Sequence, residues 1–381
     1  MSVSRAASVE DFRHAARRRL PRIFFEYIDG GAYAEETLRR NVADMQQLSL
    51  RQRVLRDMTA LDTRTELFGQ RLGMPLLLAP VGMAGMYARR GELQAARAAA
   101  LAGIPFCLST VGICSVEEVA QRVAPPWFQL YILKDRGHMR ELIRRARAAG
   151  SPVLMLTVDL PVPGARYRDV RSGFRGLTGF AAAWNRLQDG VRHPRWVWDV
   201  WLHGRPHTLG SVVSAVQEGD SGSDFLAWIA SNFDRSVTWN DIEWVRAEWQ
   251  GPLVIKGILD ADDAREAARI GAHGVVISNH GGRQLDGVRS SISALPRIAD
   301  AVGDDLQLLL DGGVRSGLDV LKALALGASA CLIGRNWAYA LAAGGEAGVA
   351  RMLERMRTEL RTAMALTGCT DVRQADKSLL A

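Results

Sequence analysis

From residue 75 onward two kinds of short segment alternate, and that rhythm limits the possible folds more than any other feature of the chain. Eight runs rich in aliphatic and β-branched residues read as buried strands. They are PLLLAP (75–80), FCLST (106–110), WFQLY (127–131), VLMLTVD (153–159), LVIKG (253–257), GVVISN (274–279), LQLLLDG (306–312) and ACLIG (330–334). Between them lie helical patterns such as ELQAARAAALAG, DADDAREAARIG and SGLDVLKALALG, each closed by a glycine that suits a helix C-terminus. Strand–helix repetition signals a parallel sheet, and eight units predict an α/β fold of the TIM (β/α)8 barrel type. A doubly wound sheet would want a GxGxxG after an early strand, and none occurs.

The expected layout is a single domain over 1–381, with an N-terminal segment of helices plus a loop (1–70), the barrel (75–370), and a long insertion at 160–240 in the fourth βα loop. Lysine and arginine total 48 against 41 acidic residues, a net charge of +7. That balance suits nucleic acid, an anionic membrane surface or an acidic small substrate, and no nucleic-acid-binding motif is present. The four cysteines show no CxxC pair, so reduced thiols and no metal site are expected. The N-terminus has no apolar leader, and the longest weakly charged stretch, Pro75 to Tyr87, is shorter than the roughly 20 residues of a spanning helix. Neither a signal peptide nor a transmembrane segment is expected.

Active sites of TIM barrels form at the C-terminal ends of the strands, and the ends here are unusually polar. Gln129/Tyr131, Thr157/Asp159 and Ser278/His280 each repeat a spacing of two, which places both members inside the barrel in successive layers. Ser109, Lys256, Asp311 and Arg335 extend the set. One such pair would be an ordinary satisfied loop start; three argue for a layered site. Strands seven and eight end in Asp311-Gly312-Gly313-Val314-Arg315 and Gly334-Arg335. Glycines admit backbone N–H groups to a phosphate, and arginines add charge-assisted hydrogen bonds. After strand six comes Ser278-Asn279-His280-Gly281-Gly282-Arg283-Gln284-Leu285-Asp286-Gly287, a histidine beside an anion-binding arginine. A buried Asp159 would orient that imidazole and stabilise its protonated form.

The string SNHGGRQLDG resembles that of the FMN-dependent L-2-hydroxy-acid dehydrogenases and oxidases. The likeness extends through YIDGGAYAEETLRRN, MPLLLAPVGMAGMYARRGE, WFQLYIL, TVDLPVPGARYRD, VIKGI and LDGGVRSGLDVLKALALGA, over nearly the whole chain. It implies FMN as cofactor, His280 as base with Asp159 as its partner, and Arg166 and Arg283 on the substrate carboxylate. Tyr27 and Tyr131 would hydrogen-bond the substrate. Ala79, Pro80, Ser109, Gln129, Thr157, Lys256 and Ser278 would surround the flavin ring and ribityl chain. Asp311, Gly313, Arg315, Gly334 and Arg335 would hold the ribityl–phosphate end. The DGGAY segment and the Trp-rich insertion resemble respiratory bacterial members acting on L-lactate, which implies L-lactate oxidation to pyruvate with a quinone or other respiratory electron acceptor. Mandelate or another 2-hydroxy acid is the alternative substrate, and a homotetramer the implied assembly. A flavin-dependent isomerase would not need the carboxylate clamp, and a redox-inactive basic barrel on a membrane would not need the strand-end residues.

Eight of the ten tryptophans lie between Trp184 and Trp249. Leu177, Phe180, Trp184 and Leu187 follow helical spacing, and Val197, Trp198, Trp201 and Leu202 offer a second apolar stripe. Arg168, Arg171, Arg175, Arg186, Arg192, Arg195 and Arg205 surround them. Aromatic and arginine residues together suit a headgroup layer, so residues 168–210 are expected to attach the protein peripherally to the cytoplasmic face of the inner membrane. A lid packed on the barrel is the competing expectation, and the stretch after Trp228 suits packed structure better.

Overall fold

A computed structural model describes residues 3–174, 188–212 and 232–381. The eight expected strands are all present: β3 (Leu76–Leu78), β4 (Cys107–Ser109), β5 (Trp127–Tyr131), β6 (Leu154–Thr157), β7 (Leu253–Ile258), β8 (Gly274–Ile277), β9 (Gln307–Leu310) and β10 (Ala330–Ile333). They pair in parallel in the order β3-β10-β9-β8-β7-β6-β5-β4. A parallel bridge between Leu78 and Phe106 closes the ring between β3 and β4.

Side-chain alternation divides each strand between two cores. Leu77, Cys107, Trp127, Met155, Val254 and Leu309 fill the barrel interior. Leu76, Leu108, Phe128, Leu154, Ile255 and Leu310 pack outward with the helices. Burying each large apolar side chain stabilises the fold by roughly 1.5–3 kcal/mol. A one-residue slip of β5 would turn Gln129 toward the helices and Leu130 into the barrel, so the register is strongly fixed.

Two elements precede the barrel. One is a hairpin, β1 (Thr65–Leu67) and β2 (Gln70–Leu72), where only helices and a loop were expected. It plugs the N-terminal mouth: Leu67 and Leu72 join the interior core, Phe68 lies 5.7 Å from the Trp127 ring, and Trp127 Nε1 donates to Gln70 at 3.2 Å. The other is a group of three helices, α1 (Val9–Arg19), α2 (Arg22–Asp29) and α3 (Glu36–Gln47). The buried Asp29 at the end of α2 ties it to α1 and to the rest, accepting from Arg13 Nε at 2.5 Å, Arg168 Nη2 at 2.7 Å and the Tyr339 hydroxyl at 2.8 Å. Burial alone would raise this carboxyl, but the two guanidinium groups and the hydroxyl hold it well below the ordinary carboxylate range.

The described 194–202 part of the insertion docks on α2 and on the segment that follows β3. The helix Pro194–Trp196 runs into a π-helical turn, Val197–Leu202. Trp196 is buried against Phe24, with ring centroids 5.2 Å apart, and donates to the Met86 carbonyl at 2.8 Å. Val200 is also buried, so Trp198, Trp201 and Leu202 face outward, 65%, 46% and 48% exposed.

Candidate active site

The C-terminal ends of the strands open into a cleft that gathers backbone, cationic, acidic and aromatic groups around one space. Tyr27, Ala79, Pro80, Tyr131, Thr157 and Arg166 line it from one side. Lys256, His280, Arg283, Asp311, Gly313 and Arg315 line the other, with Gly334 and Arg335 beyond them. Asp159, Ser109, Gln129 and Ser278 sit in the layer behind and are joined to it or to one another by hydrogen bonds. The residues expected at the substrate and cofactor sites are therefore in one place, in two layers.

His280 Nδ1 lies 3.0 and 3.1 Å from the two Asp159 oxygens. A carboxylate can only accept, so Nδ1 carries the proton and Nε2 keeps its lone pair. Burial lowers the pKa of His280, and the cations Lys256 and Arg166 lower it further against the opposing pull of Asp159. Asp159 is itself lowered: burial pushes it up, but His280 and Lys256 outweigh that. The pair at neutral pH is a carboxylate and a neutral imidazole, the state a general base requires. His280 is not placed by strand alternation, since it lies beyond β8 in a left-handed conformation at φ 56°. Its backbone N–H donates to Ser278 Oγ at 3.0 Å.

Asp159 fits only because Gly257 follows the lysine of β7. A Cβ at Gly257, whose φ is 111°, would stand 2.5 Å from the Asp159 Cβ, and the β7–β8 register shifts at this point. The bulge opens the space that the carboxylate fills. Lys256 Nζ donates to Ser278 Oγ at 2.9 Å and pairs with Asp311 at 3.0 Å. Burial alone would lower its pKa, yet Asp311 and Asp159 raise it, so the ammonium stays charged.

Two arginines reach the mouth of the cleft. Arg166 Nε donates to the Arg283 carbonyl at 3.2 Å, and its Nη1 stands 3.9 Å from Asp169. Arg283 Nη1 is held by the carbonyls of Tyr27 and Gly30, with its guanidinium 4.8 Å from the Tyr27 ring centroid. The spacing between the two loops is set by Gln284, which sequence reasoning passed over. Its amide donates to the carbonyls of Asp159 and Val162 and accepts from Gly164 N at 2.8, 2.9 and 3.0 Å. Two residues of the insertion also pack on tyrosines of the cleft, Phe174 tilted against Tyr27 at 4.7 Å and Phe233 edge-on to Tyr131 at 5.3 Å. Arg168, expected to face lipid, is instead turned inward to Glu26, Asp29 and Glu35.

The family model of the FMN-dependent dehydrogenases matches residues 16–381. The chain belongs to that family. Among curated relatives, the L-lactate dehydrogenase of Caulobacter vibrioides is 59% identical over 376 residues, covering 98% of this chain and 97% of that one. The L-lactate dehydrogenase of Chromohalobacter salexigens is 58% identical over 363 residues, covering 95% and 92%. The solved structure of (S)-mandelate dehydrogenase, a monotopic membrane protein, superposes with a TM-score of 0.92 at 36% identity and 99% coverage of both chains. A mandelate oxidase gives 0.83 at 40% identity, covering 99% and 98%.

The residues present fit FMN, the cofactor of this enzyme family. Among the described residues, Gln129 Nε2, Thr157 Oγ1 and Asp311 Oδ1 are buried without a hydrogen-bond partner. Such orphaned atoms are costly unless a ligand satisfies them. At the far end Arg315 and Arg335 flank the uncapped N-terminus of the helix Arg335–Thr367, whose free N–H groups suit a phosphate. Burial lowers the Arg335 guanidinium to about 10, and three carbonyls hold it in place, those of Ile28, Gly281 and Gly30.

Proposed function

We propose that this dehydrogenase oxidises L-lactate to pyruvate and passes the electrons to a quinone at an anionic membrane surface. The observation that carries the reading is the neutral His280 imidazole held by the Asp159 carboxylate, in one cleft with Arg166 and Arg283. Those groups match the hydroxyl and the carboxylate of a 2-hydroxy acid, and relatives 58–59% identical over nearly the whole chain are L-lactate dehydrogenases.

Arg166 and Arg283 bind the carboxylate, and the hydroxyls of Tyr27 and Tyr131 hydrogen-bond the substrate. His280 Nε2 takes a proton from C2 or from its hydroxyl, and the Asp159 charge stabilises the imidazolium that results. FMN, when bound, supplies the two-electron acceptor. Ala79, Pro80, Ser109, Gln129, Thr157, Lys256 and Ser278 would surround its ring and ribityl chain, with Asp311, Gly313, Arg315, Gly334 and Arg335 at its phosphate end. Lys256 keeps a fixed positive charge in the floor of the cleft.

Attachment to the membrane is supported by the outward face of Trp198, Trp201 and Leu202, with Arg192, Arg195 and Arg205 exposed around it. No helix among the described residues is long and apolar enough to cross a membrane. The other expected stripe, Leu177, Phe180, Trp184 and Leu187 with Arg175 and Arg186, lies outside the described residues. Phe174 and Phe233 support a lid function for the two edges of the same insertion.

Mandelate is the second reading, favoured by the two mandelate enzymes among the structural neighbours. Mixing the holoenzyme anaerobically with each acid separates the two. L-lactate is expected to bleach the flavin absorbance within the turnover time, and (S)-mandelate to do so more slowly. A flavin that stays oxidised with L-lactate and bleaches with (S)-mandelate overturns the lactate assignment.

A further inference from the structure

The motif after β8 contains residues that never face the cleft. Asn279, Asp286 and the backbone of 287–290 turn the other way, toward α3 in the N-terminal segment. The Asp286 carboxylate accepts from the first-turn N–H groups of Glu36 and Thr37 at 3.1 and 2.7 Å. One turn on, Arg40 Nη1 donates to the Val288 carbonyl at 2.8 Å, and Asp44 accepts from Ser290 Oγ at 2.5 Å. At the centre Asn41 and Asn279, both buried, exchange two amide hydrogen bonds of 2.8 Å each. The Asn279 side-chain oxygen also accepts from Gly282 N at 3.0 Å, and Asn41 Oδ1 accepts from Ser291 N at 3.2 Å.

The same asparagine touches the phosphate loop. Gly313 has φ 89°, and a Cβ there would collide with the Asn41 carbonyl oxygen. A Cβ on Gly312 would stand 3.2 Å from Asn41 Nδ2. So one residue of an N-terminal helix abuts both the loop that carries His280 and the loop that runs from Asp311 to Arg315. Those loops follow neighbouring strands, and α3 lies against both of them.

We propose that Asn41 is a positioning residue that sets the His280 loop and the FMN phosphate loop relative to each other, so that cofactor affinity and turnover both depend on it. The inference rests on the assignment of His280 as base only for its turnover half; its cofactor half stands on the phosphate loop alone. Buried amides that pair on both of their polar atoms fix one arrangement, and removal of one partner strands the other.

The test uses the full chain carrying Asn41→Ala, with Asp44→Ala as a control that breaks a contact of the same helix without touching Asn279. Apoprotein is titrated with FMN by quenching of flavin fluorescence, and kcat and KM for L-lactate are measured at saturating FMN. Asn41→Ala is expected to bind FMN at least tenfold more weakly and to lose kcat more than it raises KM. Asp44→Ala should stay within about twofold of the natural chain in both. Should Asn41→Ala prevent folding, Asn41→Asp serves. It still accepts from Asn279 Nδ2 but cannot donate to Asn279 Oδ1, and an intermediate loss is expected. The proposal is overturned if Asn41→Ala lowers only the melting temperature, leaving FMN affinity and kcat intact, or if Asp44→Ala does equal damage. Full activity of a His280→Ala chain would instead sink the base assignment and leave the FMN titration as the deciding result.

Discussion

Asp159→Asn isolates the electrostatic part of the chemistry, because the amide keeps the shape of the carboxylate and loses its charge. The imidazolium that forms on His280 sits 3.0 Å from the Asp159 oxygen. Two unit charges at 4 Å in an effective dielectric of 20 attract by about 4 kcal/mol, and the spread of the imidazolium charge offsets the shorter distance seen here. At about 1.36 kcal/mol per tenfold, the expected loss in the rate of flavin reduction is about 10³-fold, inside the 10²- to 10⁴-fold span of general-base catalysis. A second consequence has a definite sign. Only neutral His280 accepts a proton, so the rate falls as pH drops through its pKa, already below the ordinary value because burial, Lys256 and Arg166 outweigh Asp159. Removing the Asp159 charge deletes an interaction that raises that pKa, so the acid limb of the rate profile should move to still lower pH while the plateau collapses. Anaerobic stopped-flow reduction by L-lactate between pH 5 and 8 reads both. A variant that binds FMN and reduces it within tenfold of the natural rate would refute the argument, as would an acid limb displaced upward.

Arg283→Lys keeps a charge but loses the planar fork, and hydrogen bonds to charged groups are worth roughly 1.5–3 kcal/mol; steady-state kinetics should show KM for L-lactate about 10- to 100-fold higher. Arg315→Ala should weaken FMN by a similar factor on fluorescence titration, and a chain that purifies fully loaded would remove Arg315 from the phosphate site. Phe233→Ala opens the wall beside Tyr131, so the ratio of kcat/KM for (S)-mandelate to that for L-lactate should rise, whatever happens to either alone. Replacing Trp198 and Trp201 together by serine should release the protein from sedimenting anionic vesicles at low salt while leaving flavin reduction by L-lactate unchanged; undiminished sedimentation would place the attachment elsewhere.

What the sequence reveals and what it hides divide along a physical line. Strand alternation is a local, period-two signal, so it suffices by itself to turn Gln129, Thr157 and Lys256 toward the barrel interior. The hairpin β1–β2 escapes the same reasoning because its turn begins at Phe68, held at φ 49° where asparagine or glycine would have marked it. Gly69 at φ 74° is the turn's remaining local cue, and the Phe68 ring packs against Trp127. Arg168 is misjudged for a related reason: Arg166 and Arg171 flank it in sequence, while its partners in space are acidic, with Asp29 lying 139 positions earlier. Asn41 and Asn279 are 238 positions apart, and neither stands out in its local pattern. Most groups proposed to meet substrate and cofactor lie at strand ends and glycine turns, which short-range pattern marks; Tyr27, on α2, is the exception. The groups that hold them still are paired across the whole chain, where only a partner's position in space gives a polar side chain its meaning. Substitutions at the first kind should therefore alter chemistry at nearly constant stability, and substitutions such as Asn41→Ala should alter both.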